Sequence, residues 1–316
     1  MDQSGSPTLA SHTTDPLVLD GGLATELEAR AADLSGPLWS ARLLLEDSQL
    51  IRAVHDAYLE AGADCIVTAT YQATLPGLEA HGLSRERARD VMASAVRLAI
   101  DARDAFWKLH DNRTNRMRPF VAASVGPYGA FLANGAEYTG VYDVDDRGVY
   151  RFHANRFRLL AGAGADLLAC ETIPSRGETL ALLRLFRETP EAEGWISWSC
   201  RDGRHLRDGT PICDMAALAN GTPGVLAVGV NCTYPLHVTE LIHQVADATD
   251  LPIVVYPNAG EDFDPVTKQW VGAANRPDLP ALAAEWIEAG ARMVGGCCRT
   301  TPKDIAAMRA AVAEKQ

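Results

Sequence analysis

Eight short apolar runs, each closed by a polar or glycine-rich element, restrict how this chain can fold more than any other feature. They cover residues 17–19, 65–68, 120–124, 167–170, 195–199, 226–230, 253–256 and 293–294. Helix-like stretches fall between them, among others residues 47–61, 84–110, 144–162, 175–189 and 277–289. Strands that are apolar on both faces and alternate with helices predict a parallel sheet covered by helices. Eight such units in 316 residues predict an α/β fold of one domain, a closed (β/α)8 TIM barrel over residues 17–316. Residues 1–16, polar and rich in Ser and Thr, are expected to be a flexible N-terminal tail. The competing fold is an open doubly wound sheet, but no Gly-x-Gly-x-x-Gly opens a helix after the first strand.

Three helix ends echo one another: Glu60-Ala61-Gly62-Ala63-Asp64, Ala161-Gly162-Ala163-Gly164-Ala165-Asp166 and Glu288-Ala289-Gly290-Ala291-Arg292. In each, glycine stops the helix and small residues permit a tight entry to the next strand. The repeat speaks of architecture and carries no chemistry.

Charge and cysteine count narrow the function. A net charge of −12 and a pI of about 5.1 argue against a nucleic-acid or anionic-membrane surface. Seven cysteines, an odd number in a long chain, argue against a secreted disulfide framework. No stretch has the apolar length of a signal peptide or a membrane span. The expectation is a soluble cytoplasmic protein acting on small molecules, with neither nucleic acid nor membrane as partner.

On a barrel, reacting groups gather on the loops after the carboxyl ends of strands. Those ends read Asp20-Gly21-Gly22, Thr70-Tyr71-Gln72, Ser124-Val125-Gly126-Pro127-Tyr128, Glu171-Thr172, Cys200, Asn231-Cys232, Pro257-Asn258 and Gly296-Cys297-Cys298. Cys232, Cys297 and Cys298 would form a soft three-thiolate site that suits Zn2+ and leaves a fourth position open to another sulfur. Neighbours on a regular strand face opposite sides, so Cys297 and Cys298 can converge only if the backbone leaves strand geometry, as Gly295-Gly296 suggests. The plainer alternative is that these are small buried hydrophobes; Cys65, Cys170, Cys200 and Cys213 have no such pairing and are expected as core or wall residues.

Glu171, leaving a strand into the mouth, suits an ammonium group; otherwise it is a solvated loop glutamate. Asp20 precedes two glycines whose amides can approach a carboxylate; otherwise it is a turn or capping residue. Tyr71, Tyr128 and Trp39 offer aromatic faces to a cationic sulfonium, or simply pack. The basic run over residues 113–118 is expected on a solvated loop.

Taken together, Asp20-Gly21-Gly22, TATYQAT (68–74), SVGPYGA (124–130), EYTG (137–140), CETIP (170–174), GVNC (229–232), YPNAGE (256–261) and GGCC (295–298) resemble the homocysteine S-methyltransferase family. The likeness runs over residues 17–305 and is nearest to the bacterial and plant branch that uses S-methylmethionine, and often S-adenosylmethionine, as donor. It implies a zinc-dependent barrel with Cys232, Cys297 and Cys298 as ligands, and catalysis through the bound zinc. It also implies that Glu171 holds the amino group of homocysteine, with Asp20, Gly21 and Gly22 beside the bound amino acids. Trp39 and Tyr71 match aromatic positions near the donor, and Asn231 joins the substrate-binding set.

The expected reaction is direct transfer of a methyl group from a sulfonium donor to the homocysteine thiolate, giving methionine. A free thiol at neutral pH is mostly protonated, and metal binding removes that proton without a protein base. The alternatives are methylation of another thiol or of a selenol such as selenocysteine, and a non-catalytic thiol-metabolite binding protein. A barrel lyase or aldolase usually needs a Schiff-base lysine or a carboxylate-bound metal at a strand end; lysine is scarce, and neither Lys108 nor Lys268 falls at a recognisable strand terminus.

Overall fold

The described residues form ten strands: β1 Leu17–Val18, β2 Cys65–Val67, β3 Phe120–Val125, β4 Leu167–Ile173, β5 Gly194–Trp198, β6 Val225–Asn231, β7 Ile253–Tyr256, β8 Asp262–Asp264, β9 Gln269–Val271 and β10 Ala291–Val294. The structure is a computed structural model and describes residues 15–34, 36, 38–114, 116–264, 269–271 and 276–314. All of the expected tail except Asp15 and Pro16 lies outside these residues. Eight strands pair in parallel in the order β1-β10-β7-β6-β5-β4-β3-β2. A parallel bridge between Leu19 and Cys65 joins the two ends, so the sheet closes as a (β/α)8 barrel. The β8–β9 hairpin, antiparallel and outside the barrel, has no counterpart among the expected strands.

Local sequence sets the helix starts. Asp47, Ser84, Asp145, Ser175 and Asp278 each accept a hydrogen bond from a backbone N–H three residues on, which fixes the first turn. The helices they cap are Ser48–Glu60, Arg85–Lys108, Asp146–Ala161, Arg176–Glu188 and Leu279–Glu288. Three of the helix-like stretches read from the sequence begin one residue early because they include the cap.

Strand parity divides the core. Val18, Ile66, Val121, Ala123, Leu168 and Cys170 face outward and pack against the helices. Leu17, Leu19, Cys65, Phe120, Ala122, Leu167, Ala169, Trp195, Ala227, Val254, Tyr256 and Met293 fill the barrel interior. Following the same parity toward the carboxyl ends brings Ser124, Glu171, Ser197 and Asn231 to the next interior level beside Tyr256. The inside is therefore apolar below and polar at the top.

The basic run departs from expectation in part: Arg113 is exposed, but Arg116 and Arg118 are half-buried. Arg116 donates to the Leu59 and Ala63 carbonyls at 3.0 and 2.7 Å, and Arg118 pairs with Asp104 at 2.8 Å. Instead of lying on a solvated loop, these side chains tie β3's approach to the preceding helices. Among the described residues, no helix is long and apolar enough to cross a membrane.

Candidate metal and substrate site

The polar top layer is a connected network. The Ser124 hydroxyl donates to Glu171 Oε1, and the Tyr256 hydroxyl also bonds this carboxyl. Tyr256 in turn accepts from Trp195 Nε1 at 2.9 Å and lies 2.6 Å from Ser197 Oγ. Asn231 Oδ1 accepts from Ser197 Oγ at 2.9 Å and from the Thr172 amide at 2.6 Å, while its Nδ2 donates to Thr172 Oγ1 at 2.8 Å. The same Nδ2 sits 4.0 Å from Cys297 Sγ, so Asn231 links the network to the thiols.

The three thiols come from two loops. Cys232 follows β6, and its amide donates to the Tyr256 carbonyl at 3.3 Å. Beyond β10 the chain leaves strand geometry as expected. Gly296 donates to the Asp20 carbonyl at 3.1 Å, Cys297 to the Pro257 carbonyl at 2.8 Å, and Ala259 to the Cys298 carbonyl at 3.0 Å. The thiol-bearing turn is thereby held between the ends of β1 and β7. Gly22 permits this approach, since a Cβ there would lie 2.6 Å from the Cys297 carbonyl oxygen.

Cys232 Sγ is 3.9 Å from Cys298 Sγ, Cys297 Sγ is 4.0 Å from Cys298 Sγ, and all three lie within 4.8 Å of one another. Tetrahedral zinc with bonds of about 2.3 Å would hold its sulfurs about 3.8 Å apart, so the donor set and its spacing both fit that ion. Charge points the same way. Hydrogen bonds from Cys297 and Cys298 hold the Cys232 thiol well below the ordinary range, and the sulfur they stabilise pushes both neighbours well above it. Three such thiols ionise together only beside a cation.

Backbone strain concentrates here. Thr172, Cys232 and Arg299 have φ of 61°, 48° and 65°, three of the five non-glycine residues in the left-handed region among those described. Each costs on the order of 1–3 kcal/mol. Thr172 falls at the register shift of β4 between Cys170 and Ile173, next to Glu171.

The expected substrate residues distribute as follows. Glu171 lies inside β4 and is buried, so the solvated-loop alternative is excluded; burial raises its pKa to about 7, against the opposing bonds from Ser124 and Tyr256. Asp20 is buried too, with Oδ2 accepting from the Val67 amide at 2.8 Å. Burial holds its carboxyl well above the usual range, and Glu171 raises it further. Gly22, not Asp20, occupies the cap of the helix Leu23–Ala29. The Gly22 amide is taken by Thr300 Oγ1 at 3.1 Å, and Gly21 packs against Thr300 and Tyr58. Tyr71 is half-buried within electrostatic reach of Cys232 and Glu171, and its hydroxyl bonds Thr172. Trp39 opens the short 3-10 helix Trp39–Arg42, and its side chain lies outside the described set. Tyr128 packs edge-on to Tyr142 and Phe152, so ordinary packing accounts for it. Cys65, Cys170 and Cys200 are buried and apart from the cluster.

Three residues near the thiols carried no role in the sequence reading. Tyr138 bonds Cys232 Sγ, and Arg207 reaches the Cys232 carbonyl at 3.4 Å with its guanidinium 5.5 Å from the Tyr138 ring centroid. Glu137, adjacent to Tyr138, keeps a shielded Oε2 with no partner, and burial raises its pKa to about 7. The EYTG stretch was the signal for two of them, and nothing local marked Arg207.

A (β/α)8 barrel that gathers three thiols beside buried carboxylates, at the carboxyl ends of its strands, defines a class: barrel enzymes with a thiol-rich metal centre for small ligands. Within that class, the family model for homocysteine S-methyltransferase matches residues 17–312. The chain belongs to the homocysteine S-methyltransferase family. It is 49% identical over 289 residues to homocysteine S-methyltransferase YbgG of Bacillus subtilis, covering 92% of each chain. It is 43% identical to selenocysteine Se-methyltransferase of Brassica oleracea, covering 95% of this chain and 90% of that one. The crystal structure of the homocysteine methyltransferase MmuM from Escherichia coli in its metallated form superposes with a TM-score of 0.84 at 44% identity, covering 94% and 96% of the two chains.

Proposed function

We infer that this enzyme transfers a methyl group from a sulfonium donor to the thiol of L-homocysteine, giving methionine. The observation that carries this is the trio of sulfurs within 4.8 Å beside a buried Glu171. The proposed donor is S-methylmethionine, with S-adenosylmethionine as a second substrate of the same kind. Cys232, Cys297 and Cys298 would hold the metal, which we assign as zinc; when bound, it would supply the Lewis acidity that keeps an added thiol ionised at neutral pH.

The chain's own residues do the rest. Glu171 and Asp20 accept the homocysteine ammonium, whose charge offsets the burial that raises both carboxyls. Asn231, held by Ser197 and Thr172, fixes Cys297 in place. Tyr71 lines the donor side with an aromatic face, as Trp39 would by resemblance. Transfer breaks the donor's S–CH3 bond as the new S–CH3 bond forms, and the leaving sulfur departs as a neutral thioether. Both reacting charges vanish, and no proton moves in that step. Holding the two sulfurs in line is the main protein contribution, for which positioning is worth up to about 7–11 kcal/mol.

A selenol acceptor is the second reading, favoured by the likeness to the Brassica Se-methyltransferase. All seven cysteines are free, which suits the reducing cytoplasm where we place the protein. The test is a donor panel with homocysteine and zinc-loaded protein, following methionine by mass spectrometry. Methionine from S-methylmethionine is expected; none from any sulfonium would refute the assignment, and faster turnover with selenocysteine would favour the second reading.

A further inference from the structure

We propose that Glu137 and Arg207 together hold the amino-acid end of the methyl donor, Glu137 taking its ammonium and Arg207 its carboxylate. The assignment rests on the methyl-transfer reading above.

Two tiers of charge surround the thiols. The inner tier, Asp20 and Glu171, belongs to the strand ends and is buried. It contains two carboxyls, suited to one ammonium. The outer tier comes from longer loops. Glu137 sits on the 3-10 helix Ala136–Tyr138, well beyond the end of β3, and Arg207 on the loop that follows β5. Both are half-buried, and both lie within electrostatic reach of Cys232.

Tyr138 stands between the two charges. Its hydroxyl bonds Cys232 Sγ, and its ring lies beneath the Arg207 guanidinium. Glu137 is pinned by close packing, because a Cβ at Gly129 would lie 2.3 Å from the Glu137 amide nitrogen. Arg207 is aimed by Ser199 Oγ at 2.9 Å and by the Cys232 carbonyl at 3.4 Å. Among the described residues, neither charge is in a salt bridge: Glu137 Oε2 accepts nothing, and the two side-chain bonds of Arg207, to a hydroxyl and a carbonyl, leave guanidinium donors for a carboxylate. Opposite charges held near one reacting centre yet unpaired match a zwitterion. Beyond its sulfonium, a donor such as S-methylmethionine ends in one ammonium and one carboxylate. The sulfonium would face Tyr71 and Tyr138, whose rings favour a cation.

Three donors separate the contributions: S-methylmethionine with both groups, dimethylsulfoniopropionate with a carboxylate only, and (3-aminopropyl)dimethylsulfonium with an ammonium only. Glu137→Gln should lower kcat/KM about 10- to 100-fold for the two ammonium-bearing donors and leave dimethylsulfoniopropionate unchanged. Arg207→Gln should do the reverse, hitting the two carboxylate-bearing donors, with partial recovery in Arg207→Lys. The homocysteine KM should stay at its wild-type value in all three variants. Equal losses across the donors, or a raised homocysteine KM with donor KM unchanged, would overturn this assignment alone. If the wild-type enzyme makes no methionine from any of the three, nor from S-adenosylmethionine, the methyl-transfer reading falls and takes the assignment with it.

Discussion

Replacing Arg156 by methionine removes a buried cation that organises the side of the mouth where Tyr71 lies. Its guanidinium, on the helix Asp146–Ala161, donates to the carbonyls of Gly126 at 3.1 Å, Thr70 at 3.1 Å and Tyr71 at 2.7 Å. The loops after β2 and β3 are thus tied to one side chain that is 1% exposed. Gly126 completes the arrangement, because a Cβ there would lie 2.6 Å from the Tyr71 carbonyl oxygen and 2.7 Å from its ring. Three charge-assisted bonds contribute roughly 1.5–3 kcal/mol each, about 5–9 in total. Against this stands burial of the guanidinium, which pulls its pKa from 12.5 to about 10, a cost on the order of 3 kcal/mol. The net loss expected for Arg156→Met is therefore about 2–6 kcal/mol. Urea unfolding at 25 °C should show the midpoint falling with an unchanged slope. Steady-state assays should show the donor KM rising while the homocysteine KM stays at its wild-type value. Arg156→Lys, whose ammonium lacks the planar fork, should fall between. An unchanged midpoint, or a defect confined to homocysteine, would refute the reasoning.

Other expectations follow from the same geometry. Glu171→Gln should raise the homocysteine KM without changing metal content, measured by assay and elemental analysis of one preparation; an unchanged KM would remove its role. Cys298→Ala should lose both metal and methyl transfer, and stoichiometric zinc with full turnover in that variant would sink the ligand assignment. His55, buried in the helix Ser48–Glu60 with both ring nitrogens unpartnered, has its pKa lowered by burial, and by Arg52, from 6.5 to about 4. The unfolded chain therefore binds the proton more readily. The stability this group confers is complete above about pH 6.5 and is lost as pH falls through about 4, up to about 3 kcal/mol. His55→Leu should flatten the stability profile over that window in urea titrations, and an unchanged slope would contradict it.

The barrel was legible because short runs apolar on both faces, and the helix stops between them, are local properties. Apolar residues mark the strands, and Asp47, Ser84 and Ser175 mark the helix starts. The thiol trio was legible because Gly295-Gly296 signals that the backbone leaves β10 before Cys297 and Cys298. Glu171 was legible as a mouth residue, although its burial depends on Ser124, Tyr256 and the shift within β4, which only the closed sheet brings together. Glu137, Tyr138 and Arg207 were given no role for a different reason. They reach the thiols from loops well beyond the strand ends, where neither periodicity nor capping reports on position. Arg116 was misplaced because a run of arginines looks solvated until the carbonyls of Leu59 and Ala63 are seen beneath it.

X-ray absorption at the zinc edge tests most directly whether Cys232, Cys297 and Cys298 form a centre open to one more sulfur. The zinc-loaded enzyme should show three sulfur neighbours at about 2.3 Å and one lighter atom, becoming four sulfurs when homocysteine is added. Four sulfurs before homocysteine, or three sulfurs unchanged after it, would contradict the account.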